Sequence, residues 1–187
     1  MSDIPSYLQD AKDLLSENGF ATSDVWYHGT SSALLDSIKE NGLKRSGDKA
    51  MKQAAKSTMA TIGNKYTESI EPVFLTQSKE LAYYWAQQTV RERSVRFDGE
   101  EHPVVLAINL PEEERGKVRP DVGAASLLMV KEGEAFLAYV TKLYEICNTG
   151  ELNIDLMKAE RNEYLNKLGM AYFDADIDAQ HVSLITE

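Results

Sequence analysis

Val25-Trp26-Tyr27-His28-Gly29-Thr30-Ser31-Ser32 is the stretch from which the fold is read. Three apolar or aromatic residues run into a histidine. A glycine follows, and then three hydroxyl residues. The pattern is a strand that ends in a polar mouth, with Ser31 or Ser32 placed to cap the next helix. Glycine beside a strand-end histidine lets a ligand approach the backbone. Turn and cap chemistry alone accounts for the same residue types, so the stretch by itself leaves both readings open.

Working outward, the strand is preceded by a predicted helix over residues 5 to 18. Tyr7, Leu8, Ala11, Leu14 and Leu15 recur there at three- and four-residue spacing, and Gly19 ends it. After the strand, Leu34, Leu35 and Ile38 form the buried stripe of a short helix. Asn41-Gly42-Leu43 stops that helix, with Gly42 in the left-handed position and Leu43 packing back.

Residues 44–71 carry a local reversal of charge. Over residues 44–66, Lys44, Arg45, Lys49, Lys52, Lys56 and Lys65 stand against one acid, Asp48. The segment reads as a partly helical mobile loop. It is either a solvated face or a flap whose positive potential attracts phosphates.

Pro72 to Thr76 is a short buried strand, and Ser78 caps the helix after it. Leu81, Ala82, Trp85, Ala86 and Thr89 give that helix its inner face. Tyr83 and Tyr84 are adjacent and must point apart, so one of them can share the space of His28. Arg91 to Glu101 reads as charged and turn-rich. Pro103 to Leu110 is the most apolar strand and therefore central. Glu112, Glu113 and Glu114 follow Pro111; adjacent acids do not converge on one ion, so they read as a solvated turn.

Residues 133–168 read as a helical hairpin. One face is Phe136, Leu137, Val140, Leu143, Tyr144 and Cys147, and the second is Leu152, Leu156, Ala159 and Leu165, with Asn148-Thr149-Gly150 between them. Gly169 resets the chain into a strand over Met170 to Phe173. A turn and a last strand over His181 to Ile185 close it.

The totals bound the possibilities. A chain of 187 residues suits one domain. Its 20 Lys and Arg against 30 Asp and Glu give a net charge of −10, which opposes nucleic-acid binding over the whole surface. Cys147 is the only cysteine, so no internal disulfide is expected, and a cytoplasmic setting fits. No apolar run approaches the ~20 residues of a membrane span.

The order Tyr-His-Gly-Thr, a helix ending Asn-Gly-Leu, Val-Phe-Leu-Thr, Ser-Lys-Glu-Leu-Ala-Tyr-Tyr, an apolar strand and a terminal Asp-Ile-Asp-Ala-Gln-His-Val-Ser-Leu-Ile resembles the ADP-ribosyltransferase superfamily. The similarity is to its diphtheria-toxin and poly(ADP-ribose) polymerase branch, which carries a His-Tyr-Glu triad. Rifamycin ADP-ribosyltransferases and RNA 2′-phosphotransferases share the frame. The resemblance covers about residues 25–43, 72–90, 103–110 and 170–185. It implies an α+β fold: a split, mixed or antiparallel sheet flanked by helices, here with a helical insertion.

What the resemblance implies about the site follows residue by residue. His28 takes the triad histidine, which bonds the adenosine ribose of NAD. Gly29 takes the glycine whose backbone holds the nicotinamide carboxamide, and Thr30 lies beside the ligand. Phe74 falls on an aromatic position that is commonly tyrosine. Tyr84, with Tyr83 as the alternative, takes the ring that stacks on nicotinamide. Ser78 matches a serine near the nicotinamide pocket. The family glutamate falls on Met170, or on Ala171 one register away, and neither is acidic. Rifamycin-type members use an aspartate after the middle strand, which Asp121 matches loosely. Glu160 and Glu163 are further acids on the insertion.

The implied reaction is transfer of ADP-ribose from NAD to a protein, nucleic-acid or small-molecule acceptor, with nicotinamide leaving and no metal. By analogy of fold, that suits a bacterial or phage effector, toxin or modifying enzyme. The alternative is a non-enzymatic module of the same fold that binds NAD or ADP-ribose, or that acts by protein contact through residues 133–168.

Overall fold

A computed structural model describes residues 4–63, 70–121, 134–155 and 157–187. Lys65 of the basic segment, Leu156 of the second apolar face and the first residue of the 133–168 insertion lie outside these residues.

The chain is α+β. Among the described residues its main sheet has six strands: β3 (Val25–Ser31), β4 (Val73–Thr76), β5 (Pro103–Asn109), β6 (Arg119–Pro120), β7 (Met170–Phe173) and β8 (Val182–Leu184). Their order is β6-β7-β4-β3-β5-β8, and every neighbouring pair is antiparallel. The strands expected at the opening stretch, at Pro72 to Thr76, at Pro103 to Leu110 and at Met170 to Phe173 are all present. The last strand begins one residue late, because Ala179–His181 forms a 3-10 turn. β4 and β3 are the two middle strands, and β5, expected to be central, is an interior strand between β3 and the edge strand β8.

Among the described residues the helices are α1 (Ala11–Leu14), α2 (Leu35–Asn41), α3 (Lys49–Thr61), α4 (Lys79–Ser94), α5 (Glu112–Arg115), α6 (Glu134–Cys147) and α7 (Arg161–Leu168). Two layers of core follow. Trp26, Ile38, Leu43, Leu75, Leu106, Ile108 and Phe173 pack on the α2 face. On the other face Leu81, Phe20, Phe136, Val140 and Tyr144 bind α4 and α6 together. Gly42 ends α2 at φ +75°, the left-handed stop expected of it.

Three expectations are corrected. The helix over residues 5 to 18 is instead a 3-10 turn (Ser6–Leu8), one helical turn (α1) and a hairpin of β1 (Leu15–Ser16) with β2 (Gly19–Phe20). The apolar spacing was real, since Leu8, Ala11 and Leu15 are all buried. A different bond set wins, however. The buried Asp10 carboxylate accepts from Ser78 Oγ (2.7 Å), Lys79 N–H (2.6 Å) and Glu80 N–H (3.2 Å), which draws the segment to the N-terminus of α4.

The second correction is to the insertion. Its first helix forms as expected, but the second is confined to α7, and residues 148–155 and 157–160 form no helix or strand. α6 seats on α1 and β1, whereas α7 seats on β2, β6 and β7, so the pair is not a simple hairpin. Third, α4 continues to Ser94, past the turn expected from Arg91. The Glu112–Glu114 run forms the short, exposed α5.

Candidate functional site

β3 is paired differently on its two sides. Against β5 it pairs over all seven residues, from Val25↔Asn109 to Ser31↔Pro103. Against β4 it forms one pair, Tyr27↔Thr76. Beyond Tyr27 the sheet is split.

The backbone groups that face the split follow from the ladder. In an antiparallel pair, successive residues alternate in which neighbour their N–H and C=O address. The Ser32 N–H donates to the His102 carbonyl at 2.9 Å, one step beyond Ser31↔Pro103. Even-numbered residues of β3 therefore address β5, and Tyr27 and Gly29 address β4. The far strand agrees: the Val105 carbonyl, opposite Gly29, accepts from the Ile185 N–H on the β8 side at 3.0 Å. The Gly29 N–H and C=O thus point toward β4 at a position where the β3–β4 ladder has ended.

His28 holds the split. In a continued register Phe74 would stand opposite Gly29. Instead the Phe74 carbonyl accepts from His28 Nδ1 at 2.7 Å. A carbonyl only accepts, so Nδ1 carries the proton and Nε2 is an acceptor in the neutral ring. Burial lowers the His28 pKa, against an opposing effect of the Phe74 bond, and so favours that neutral ring.

Two lobes of a cleft meet here. One, of about 320 Å³, is lined by Tyr27, Ala82, Trp85, Asp121 and Met170 among others. The other, of about 390 Å³, lies under α2 and the start of α3, with Lys44, Asp48, Lys52 and Arg93 in its wall. Both include His28, Gly29, Phe74 and Thr89. The two lobes share these four residues, which lie at the split and on α4. Each is within the ~300–1,000 Å³ range of small-molecule sites.

Of the residues expected at the site, His28, Gly29, Phe74 and Asp121 line the smaller lobe, and Thr30 lines the larger. The Asp121 N–H donates to the Met170 carbonyl at 3.1 Å, which sets the acid beside Met170. Three others lie elsewhere. Ser78 is fully buried, caps α4 by accepting from the Leu81 N–H at 3.4 Å and donates to Asp10. Tyr84 stacks on Tyr139 of α6, with centroids 4.6 Å apart and planes at 16°. Tyr83 packs against the cluster of Leu8, Ala82 and Val105.

Gly29 also has a structural cause that the sequence does not reveal. A Cβ there would lie 1.8 Å from the Ala82 carbonyl oxygen of α4. The helix backbone crosses the strand at that point, so glycine is required whether or not a ligand binds.

Residues not foreseen as site residues are Trp85, Thr89 and Arg93. Ala82, Trp85, Thr89 and Arg93 fall at helical spacing on one face of α4 and line the cleft in that order. The available signal was an apolar stripe that continues into Thr and Arg. Among the described residues, no cluster of three or more His, Cys, Asp or Glu is arranged to hold a metal, and no helix is long and apolar enough to cross a membrane.

The fold and site define a class by geometry: an α+β chain with a two-lobed cleft at the split of an antiparallel sheet. No family model, curated protein or solved structure matches the chain.

Proposed function

We propose that the chain has the ADP-ribosyltransferase fold and transfers ADP-ribose from NAD to an acceptor. The observation that carries this reading is the split at Gly29. One N–H donor and one C=O acceptor of the same residue face a partly apolar lobe. A primary carboxamide, which offers one C=O and one NH₂, is complementary to that pair. Phe74 and Trp85 supply ring surface in the same lobe, and Trp85 takes the place that the sequence had suggested for Tyr84. His28, fixed through Nδ1, presents an acceptor nitrogen suited to a ribose hydroxyl.

In the reaction the ribose C1′–nicotinamide bond breaks, and its electron pair leaves with nicotinamide. The acceptor attacks C1′ and loses a proton. Positive charge builds on the ribose, and a nearby carboxylate stabilises it. Met170 does not supply that carboxylate; Asp121, beside it in the same lobe, is the acid the geometry favours. The absence of an acid at Met170 also favours a second reading, in which the cleft binds NAD without turnover.

Nicotinamide release from NAD, with and without cell lysate, tests the proposal. His28→Ala is expected to abolish release, and Asp121→Asn to reduce it about 100-fold, with thermal melting as the control for folding. Calorimetric binding without release assigns the cleft to the second reading. Absence of both binding and release overturns both.

A further inference from the structure

The larger lobe contains a buried arginine whose three hydrogen-bonding nitrogens are divided between two kinds of partner. Arg93 Nε and Nη2 donate to the two Glu101 oxygens at 2.7 and 3.0 Å, and Nη1 donates to Asp48. The Arg93 side chain is 7% exposed and that of Glu101 11%. Glu101 accepts a further bond from Ser31 Oγ at 2.5 Å. Its pKa is held low, chiefly by Arg93 and then by Ser31 against the effect of burial. Glu101 is thus a fixed anchor that sets the guanidinium in place from the sheet side.

Asp48 is a different partner. It stands at the N-cap of α3 and accepts from the Met51 N–H at 3.0 Å with one oxygen, while the other meets Arg93. α3 has no buried residue of its own. Hydrophobic burial, which holds most helices in place, is therefore weak here. The Asp48–Arg93 contact is a principal tie between α3 and α4. Asp48, Arg93, Lys44 and Lys52 all line the larger lobe. Glu71 and Glu92 line the same lobe, Lys44 pairs with Asp176 and Glu101 keeps two of the Arg93 nitrogens, so withdrawing Asp48 shifts the charge of the wall of this cavity of about 390 Å³ by one toward its cations.

We infer that Arg93 Nη1 is an anion seat that Asp48 fills in the unliganded chain, so that a phosphate-bearing ligand and the α3 segment compete for it. The ligand class is a phosphate or diphosphate ester. With NAD as the ligand the anion is its diphosphate, and in that form the inference rests on the function proposed above. Guanidinium binds phosphate as readily as carboxylate, through the same planar fork. A phosphate that takes Nη1 releases Asp48. The tie to α4 is then lost, and α3, which has no buried residue of its own, is held less firmly and opens more often. By linkage, whatever loosens the Asp48 contact tightens anion binding by the same factor.

The test uses the full chain, with inorganic pyrophosphate, ADP-ribose and NAD as probes. Calorimetry measures their affinity for wild type, Asp48→Asn and Arg93→Lys. Hydrogen exchange of the amides in residues 49–61 reports how often α3 opens. Asn keeps the helix cap and removes the competing charge. Asp48→Asn is expected to bind pyrophosphate at least about fivefold tighter than wild type. Saturating pyrophosphate is expected to raise exchange of α3 amides in wild type toward the level of the Asn variant, and Arg93→Lys to lose most of the affinity. Equal or weaker pyrophosphate binding in Asp48→Asn overturns the inference, as does α3 exchange that pyrophosphate leaves unchanged in wild type. The outcomes separate the two proposals. If NAD and ADP-ribose fail to bind while Asp48→Asn still tightens pyrophosphate, the seat stands and the NAD reading falls. If NAD is turned over but Asp48→Asn changes neither affinity nor exchange, the seat falls and the NAD reading stands.

Discussion

The two sides of β3 present the same backbone to opposite ends. Toward β5 the strand is stitched along its whole length, and its neighbours Val105, Leu106 and Ile108 are at most 2% exposed. Toward β4 it is stitched once, and Phe74, which in a continued register would stand opposite Gly29, is 40% exposed. The paired side ties the strand into the core. The split side leaves peptide groups of the same strand facing a cleft. A site built this way needs no separate loop to position it, since the rigid ladder on one side holds the geometry of the other.

If that contrast is sound, substitutions on the two sides must fail differently. The largest expected loss is on the stitched side: Leu106→Ala, opposite His28, should cost about 2–5 kcal/mol in a urea titration. Gly29→Ala comes next. Its Cβ meets the Ala82 carbonyl, and overpacking of this kind costs about 1–3 kcal/mol. A Gly29→Ala chain of unchanged stability would break the claim that α4 dictates this glycine.

Ser78→Ala sharpens the boundary of the site. It removes a helix cap and should cost about 1 kcal/mol while leaving NAD binding by calorimetry intact. An affinity loss would return Ser78 to the cleft. Phe74→Ala, on the split side, should change stability by no more than about 0.5 kcal/mol yet weaken NAD binding. The reverse result would place Phe74 in the core.

The smallest expected effect concerns pH. The folded-state pKa of His28 is lowered by burial, so the folded chain binds fewer protons there than the unfolded one. The associated stability is complete above the unfolded histidine value of ~6.5 and is lost as pH falls from there through the lowered folded value. Urea midpoints at pH 7.5 and 5.5 should therefore differ less for His28→Asn than for wild type. Equal differences would mean that the ring does not titrate as its burial requires.

Much of the fold was legible because it rests on local patterns. The apolar runs at Val25 and Pro103, the capping Ser78 and the left-handed Gly42 each act within a few residues of themselves. The N-terminal helix was misread because its apolar spacing suits a helix as well as it suits scattered core contacts, and the Asp10 bonds that decide the matter lie about 70 positions away in sequence. Three of the eight expected site residues, Ser78, Tyr83 and Tyr84, do not line the cleft, for a similar reason. Tyr84 and Trp85 are neighbours on one helix, and helical geometry sets them about 100° apart. Nothing local says which of the two faces the cleft. α6, by stacking Tyr139 on Tyr84, claims one side of α4 and leaves Trp85 to the other.

The sequence by itself determined that a strand would run through Val25 to His28, which the structure extends to Ser31, that a capped helix would follow Ser78, and that no acid would stand at Met170. Only the tertiary structure decided that β3 and β4 part after a single pair, that Asp121 comes to lie beside Met170, and that Arg93 is shared between Glu101 and Asp48. The division has a physical cause. Periodicity, caps and turns are short-range preferences of the chain, whereas a split sheet and a shared guanidinium exist only when segments far apart in sequence compete for the same hydrogen bonds.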